Sequence, residues 1–176
     1  MVVVTNHTTI LDTPASYITI PHLIRTLAKR ELLKLPVMGT IFTTSSIMVD
    51  RSSPESRRAS FDRMGRYTQN GTSILIFPEG TQNRTPDALQ HFYDGAFKLA
   101  IENQVPVLPI VTVNARWLMP QAKVNELKPG RIRQIYLPPI PTAGLTKDDI
   151  KSLKDRIRRQ MHEILEREEP NYRGQL

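Results

Sequence analysis

The sequence predicts a single α/β domain over residues 1–176, with a mixed, largely parallel central sheet flanked by helices. Three observations carry that expectation. Short apolar, β-branched runs alternate along the chain with segments of helical periodicity, as in strands joined by crossover helices. Two of the runs, Ile74-Leu75-Ile76-Phe77 within the strand 72–77 and 107–113, are apolar almost throughout, which suits strands buried on both faces. The length of 176 residues is that of one domain, able to bury roughly 70% of its unfolded surface.

In chain order, Val2-Val3-Val4-Thr5 reads as a buried strand. Asn6-His7-Thr8-Thr9-Ile10-Leu11-Asp12 follows. Thr13-Pro14 then marks a helix start, with Thr13 as N-cap and Pro14 at the first helical position. That helix covers 14–19 and closes before Pro21. Residues 22–28 alternate as a strand and run into a basic, leucine-rich stretch at 29–36. The segment 37–42 is apolar around Gly39, and Ile47-Met48-Val49 makes a short strand ending in Asp50-Arg51. Ser52 and Glu55 stand at capping-box spacing for a helix that stops at Gly71. Arg57, Arg58, Arg63 and Arg66 make this helix basic. The buried strand 72–77 leads into Pro78-Glu79-Gly80-Thr81 and a polar loop to 94. A helix at 95–103, strands at 107–113 and 132–137, and a Pro-rich linker at 138–141 come next. Thr146 and Asp149 form a second capping box. The last helix carries Ile150, Leu153, Ile157, Met161 and Ile164 at 3/4 spacing.

Composition narrows the chemistry. The absence of cysteine excludes a disulfide framework, a thiolate nucleophile and a Cys-ligated metal. No Gly-x-Ser-x-Gly, Walker or Gly-x-Gly-x-x-Gly signature occurs, and the four histidines, His7, His22, His91 and His162, lack metal-ligand spacing. A net charge of +7 favours anionic partners: nucleic acid, phosphorylated metabolites or an anionic membrane surface. No apolar run reaches the roughly 18 residues of a membrane-spanning helix, and no signal-peptide pattern is present. The first strand opens at residue 2, as expected of a truncated form of a longer chain whose N-terminal anchoring segment is missing.

His7 and Asp12 are the first candidates for chemistry. On a continuous helix a five-residue offset would turn the two side chains about 140° apart, but across a strand-to-helix turn Asp12 can fold back onto the imidazole. A carboxylate on one ring nitrogen fixes the tautomer and leaves the other as a general base. Taken alone, the pair fits a capping Asp beside a solvated His better than a catalytic pair. His7, Arg51 and Glu79 each follow a predicted strand, and ligands of such sheets bind outside the C-terminal strand ends. If those strands are parallel neighbours, the three side chains share one rim.

Four ordered blocks resemble the glycerolipid acyltransferase family, whose type members are the 1-acylglycerol-3-phosphate (lysophosphatidate) acyltransferases. Asn6-His7-x-x-x-x-Asp12 is similar to the family's His-Asp motif. The stretch from Gly39 to Ile47-Met48-Val49-Asp50-Arg51 is similar to the second block. Phe77-Pro78-Glu79-Gly80-Thr81 resembles the third nearly letter for letter, and Val105-Pro106-Val107-Leu108-Pro109-Ile110 resembles the fourth. The resemblance implies a glycerol-3-phosphate-acyltransferase-like fold and transfer of a fatty acyl group from acyl-CoA or acyl carrier protein to the sn-2 hydroxyl of lysophosphatidate, giving phosphatidate. His7 would act as general base and Asp12 would orient it, with no acyl-enzyme, metal or other cofactor. Arg51 would bind the acceptor phosphate, with Gly80 and Thr81 as further donors. Glu79 would bind a hydroxyl or hold Arg51, and Lys29 would sit near the thioester or a phosphate. Asn6 or nearby backbone amides are candidate oxyanion donors.

The same resemblance implies a membrane-associated enzyme at the cytoplasmic face of the cell membrane, docked on an anionic surface, with no nucleic-acid partner. Leu32, Leu33, Leu35, Val37, Met38 and Phe42 would insert, line an acyl path or pack in the core. The block after Thr81 continues Gln82-Asn83-Arg84, where a basic residue commonly follows the Thr, and Arg84 would substitute. Two rival readings stand beside this one. One is an acyltransferase of the same family with another acceptor: glycerol-3-phosphate, a different lysophospholipid or an aminolipid. The other is a non-catalytic lipid- or nucleic-acid-binding domain that uses the basic face.

Overall fold

The computed structural model describes residues 1–29, 45–50, 52–120 and 126–169, with Lys29 described by its backbone alone. The basic, leucine-rich stretch after Lys29, the apolar segment with Gly39 and Phe42, and Arg51 lie outside the described residues.

Six strands form one sheet: β1 (Val2–Thr5), β2 (Ile24–Lys29), β3 (Ser46–Val49), β4 (Ser73–Ile76), β5 (Val107–Val113) and β6 (Arg133–Tyr136), in the order β3-β2-β4-β1-β5-β6. Every pairing is parallel except the antiparallel β5–β6 edge. The α/β expectation therefore holds. β1 is central because each of its residues is apolar or small enough to be buried on both faces. Its alternating side chains divide the core. Val2 and Val4 pack with Phe97, Leu99, Ile157 and Met161. Val3 packs on the other face with Ile20, Ile24, Leu75 and Ile110.

The first of these faces is covered by α2 (Pro54–Gln69), α3 (Gly95–Glu102) and α5 (Ile150–Glu168). The α5 stripe is the expected one, with Leu153, Ile157, Met161 and Leu165 buried, and Ile150 and Ile164 packed at its margin. The Thr146–Asp149 capping box is present and caps a 3-10 turn, Lys147–Asp149, that leads into α5. The opposite face carries α1 (Asp12–Thr19). It is pinned by Ser16, whose hydroxyl donates to Asp12 O at 2.9 Å and accepts from Gln134 Nε2 at 2.9 Å. A four-residue helix, α4 (Ala115–Leu118), follows β5 and has no counterpart in the sequence expectation. Among the described residues no helix is long and apolar enough to cross a membrane.

Two helix starts differ from expectation. The first, α1, begins at Asp12, with Leu11 already at φ −72°, ψ −19°, so neither the Thr13 cap nor the Pro14 start occurs. The Asp12 carboxylate accepts backbone N–H groups from behind it and closes the turn early. Pro14 still fits, because an N–H within the first turn has no helical partner to lose. For α2 the cap is Ser53 rather than Ser52. Pro54 drives the residue before it to extended backbone, φ −94°, ψ 119°, and Ser53 Oγ then accepts the Ser56 N–H at 3.1 Å.

Candidate active site

The parallel register Val4↔Ile76 brings the ends of β1 and β4 level, so the segments leaving them, with His7 on one and Glu79 on the other, meet at one rim. His7 Nδ1 lies 3.0 Å from Asp12 Oδ2. The same oxygen accepts the Thr8 N–H at 2.6 Å and the Thr9 N–H at 2.8 Å. The turn thus wraps its own carboxylate, which is 0% exposed and lies at the positive N-terminal end of α1. A carboxylate only accepts, so Nδ1 carries the proton and Nε2 presents a lone pair. Among the described residues Nε2 has no hydrogen-bond partner, and the His7 side chain is 18% exposed. Phe77 stacks on the imidazole with centroids 4.1 Å apart and planes at 25°. That ring blocks rotation about the His7 side-chain bonds from one side.

Glu79 holds the site in a way the sequence reading does not anticipate. Its side chain is 1% exposed. Oε1 accepts the His7 N–H at 2.8 Å and Oε2 accepts the Gln90 N–H at 2.9 Å. Both oxygens are engaged inside the protein, so the expected hydroxyl-binding role is replaced by a latch between β1 and the loop after β4. Burial pushes the Glu79 carboxyl up to about 7, and the two amide bonds from Gln90 and His7 oppose that rise.

His7 is gripped at its carbonyl as well, which accepts the Asn83 N–H at 2.7 Å. Asn83 is 0% exposed. Its Oδ1 accepts from Thr85 N and Oγ1, at 2.9 and 2.7 Å. Beneath this turn lies Arg116, 3% exposed, donating from NH2 to Asn83 O at 2.8 Å and from NH1 to Thr85 O at 3.2 Å.

Other expected site residues fall out as follows. Asn6 is no free oxyanion donor. Its amide donates to Thr112 O at 2.9 Å and accepts the Thr112 N–H at 2.8 Å, extending the β1–β5 junction. Gly80 takes φ +72°, its N–H donates to Phe77 O at 3.0 Å, and a Cβ there would meet the Tyr93 ring at 3.0 Å. Its amide belongs to the turn. Thr81 and Arg84 are exposed beside it. Lys29 ends β2 at the same rim of the sheet, with its side chain outside the described residues. Arg51 lies outside them too. Its strand, β3, is the sheet edge, separated from β1 by β2 and β4, so the condition of neighbouring strands holds for His7 and Glu79 alone. Val107 to Val113, the strand that contains much of the fourth block, is buried throughout.

Sequence reasoning did not find Phe77, Asn83 and Arg116 as site residues. Phe77 opens the third block and Asn83 lies two residues beyond it, while Arg116 sits in the otherwise apolar Ala115-Arg116-Trp117-Leu118 just after a fully buried strand. A lone cation in such a setting is the available signal for a buried one.

A family model described as Acyltransferase matches residues 1–113. The chain is 34% identical over 163 residues to the 1-acyl-sn-glycerol-3-phosphate acyltransferase alpha of Mus musculus, covering 91% of this chain and 56% of that one. It is 29% identical over 140 residues to the 1-acyl-sn-glycerol-3-phosphate acyltransferase of Haemophilus influenzae, covering 78% and 56%. The fold is shared with the solved 1-acyl-sn-glycerophosphate (LPA) acyltransferase PlsC from Thermotoga maritima. The TM-score is 0.75 at 22% identity, over 93% of this chain and 66% of that one. The chain spans about half the length of the curated relatives it matches. The wrapped His7–Asp12 turn, the Glu79 latch and all of β5 lie within the residues that the family model matches, and the chain belongs to the acyltransferase family.

Proposed function

We propose that the protein transfers a fatty acyl group from an acyl thioester to the free hydroxyl of 1-acylglycerol-3-phosphate, forming phosphatidate. The observation that carries this reading is the imidazole of His7, bonded at Nδ1 to a buried carboxylate and, among the described residues, without a partner at Nε2. An unactivated alcohol is a poor nucleophile, and a positioned base contributes about 10²–10⁴-fold. His7 Nε2 takes the hydroxyl proton as the alkoxide oxygen bonds to the thioester carbonyl carbon. The tetrahedral oxyanion then collapses, the C–S bond breaks, and the imidazolium returns the proton to the leaving thiolate. Asp12 stabilises the imidazolium between the two transfers. The nucleophile belongs to the substrate, so no side chain is acylated.

Arg51 and Lys29 are the proposed phosphate ligands, joined by the exposed Thr81 hydroxyl. A net charge of +7 supports docking on an anionic membrane at the cytoplasmic face. The acyl donor is acyl-CoA or acyl carrier protein.

The test is purified protein with a labelled acyl thioester and a panel of acceptors, the products being separated. Labelled phosphatidate from lysophosphatidate, with little product from glycerol-3-phosphate, other lysophospholipids or aminolipids, is the expected outcome. A stronger product from another acceptor overturns the substrate assignment, and no product from any of them overturns acyl transfer.

A further inference from the structure

Arg116 lies beyond residues 1–113, which the family model matches, and on a helix of only four residues. Nothing about its neighbours in sequence marks it as functional, yet its guanidinium is among the least exposed charged groups in the structure. A permanently charged group is not buried without strong partners. Its partners include the carbonyls of Asn83 and Thr85, two residues apart on one turn. A planar fork of donors can reach both at once, whereas an ammonium is a single point charge. A negative group acts on it too: Glu169, whose carboxylate accepts the Asn114 N–H. Burial raises the Glu169 carboxyl, and the Arg116 charge is among the influences that hold it down.

From the two carbonyls the connection to the imidazole is short. The Asn83 peptide that offers its carbonyl to Arg116 belongs to the residue whose N–H donates to His7 O at 2.7 Å. Glu79 fixes the amide side of His7 and the Asn83 turn fixes the carbonyl side. The first of these grips does not involve Arg116; the second is held by the Asn83 side chain, through Thr85 and Asp87 O, and by the Arg116 fork beneath it.

We infer that Arg116 is a positioning residue for His7, acting through the Asn83–Thr85 turn to set where the imidazole stands at the rim of the sheet. The inference rests on the acyltransfer reading for its kinetic consequence but not for its structural one. A group that only positions the base leaves substrate affinity alone and lowers the rate of the chemical step. Misplacement by about 1 Å costs on the order of 10²-fold.

The experiment compares the wild-type chain with R116M, which has no donor, and with R116K, which keeps the charge but only one donor centre. R116M is expected to lower kcat roughly 10–100-fold, with KM for lysophosphatidate and for the thioester within about 3-fold of wild type. R116K is expected to fall between the two. The ¹H–¹⁵N signal of the His7 imidazole, assigned by its loss in H7A, should shift in both variants while those of His22, His91 and His162 stay in place. If R116M does not fold, R116K carries both readouts. A folded R116M or R116K with wild-type kcat, a loss that appears in KM instead, or an unmoved His7 signal would overturn the inference. A wild-type chain without turnover would instead overturn the acyltransfer reading, and the spectral comparison would still decide the role of Arg116.

Discussion

One carboxylate oxygen of Asp12 receives an imidazole nitrogen and two backbone amides, whereas among the described residues its other oxygen has no hydrogen-bond partner. This asymmetry explains why the pair was legible in the sequence. The residues that build the turn are adjacent in the chain, so the six residues from His7 to Asp12 contain most of its geometry. Glu79 was legible as a site residue but not in its task. That task depends on β1 and β4 being neighbours, which is decided by the whole sheet. The same latch supplies a prediction. Replacing Glu79 with Gln leaves one oxygen to accept two amides and faces the other amide with an NH2 group. An unpaired buried donor costs about 1–3 kcal/mol, so E79Q should unfold at lower denaturant than wild type. The pH dependence has a definite sign. With its carboxyl raised from 4.5 to about 7 by burial, folded Glu79 keeps a proton that the unfolded chain has lost. Stability from this site is therefore fully present at low pH and falls as pH rises between those values. Denaturant midpoints at about pH 5 and about pH 8 should fall further in wild type than in E79Q, and equal slopes would contradict the shift.

At the scale of elements, the strands and long helices were readable because their signals are local: β-branched runs, a 3/4 stripe and capping residues. The helix starts moved by one or two residues, at α1 because the Asp12 carboxylate closes the turn early and at α2 because a second cap candidate stands next to the first. At α2 the decisive neighbour is Pro54, which makes Ser53 extended and so fit to cap. Ser53→Ala should therefore cost about 1 kcal/mol, and Ser52→Ala only a few tenths, as measured by thermal or denaturant unfolding. Equal losses would return the cap to Ser52. The short α4 escaped the reading because four residues carry too little periodicity to announce a helix. It is this element that delivers Arg116.

Across the whole molecule, the doubly covered sheet packs β1 between β4 and β5 with core on both faces, so the sheet sets where the residues leaving its end emerge. Asn6 ties that exit to Thr112, Glu79 ties it to the loop after β4, and Asn83 closes it from the other side. Three long-range contacts thus hold a site whose chemistry sits in one short turn. The topology was predictable as a class, because alternating strands and helices favour parallel sheets. The placement of β3 at the far edge was not, since nothing in a four-residue strand specifies its neighbour. The claim on which everything turns is that His7 Nε2 removes the acceptor's proton. Turnover of His7→Ala with saturating lysophosphatidate and acyl thioester measures it most directly. The account predicts a fall in kcat of at least about 10²-fold in a protein whose unfolding midpoint is unchanged, and near-wild-type turnover in that variant would contradict it.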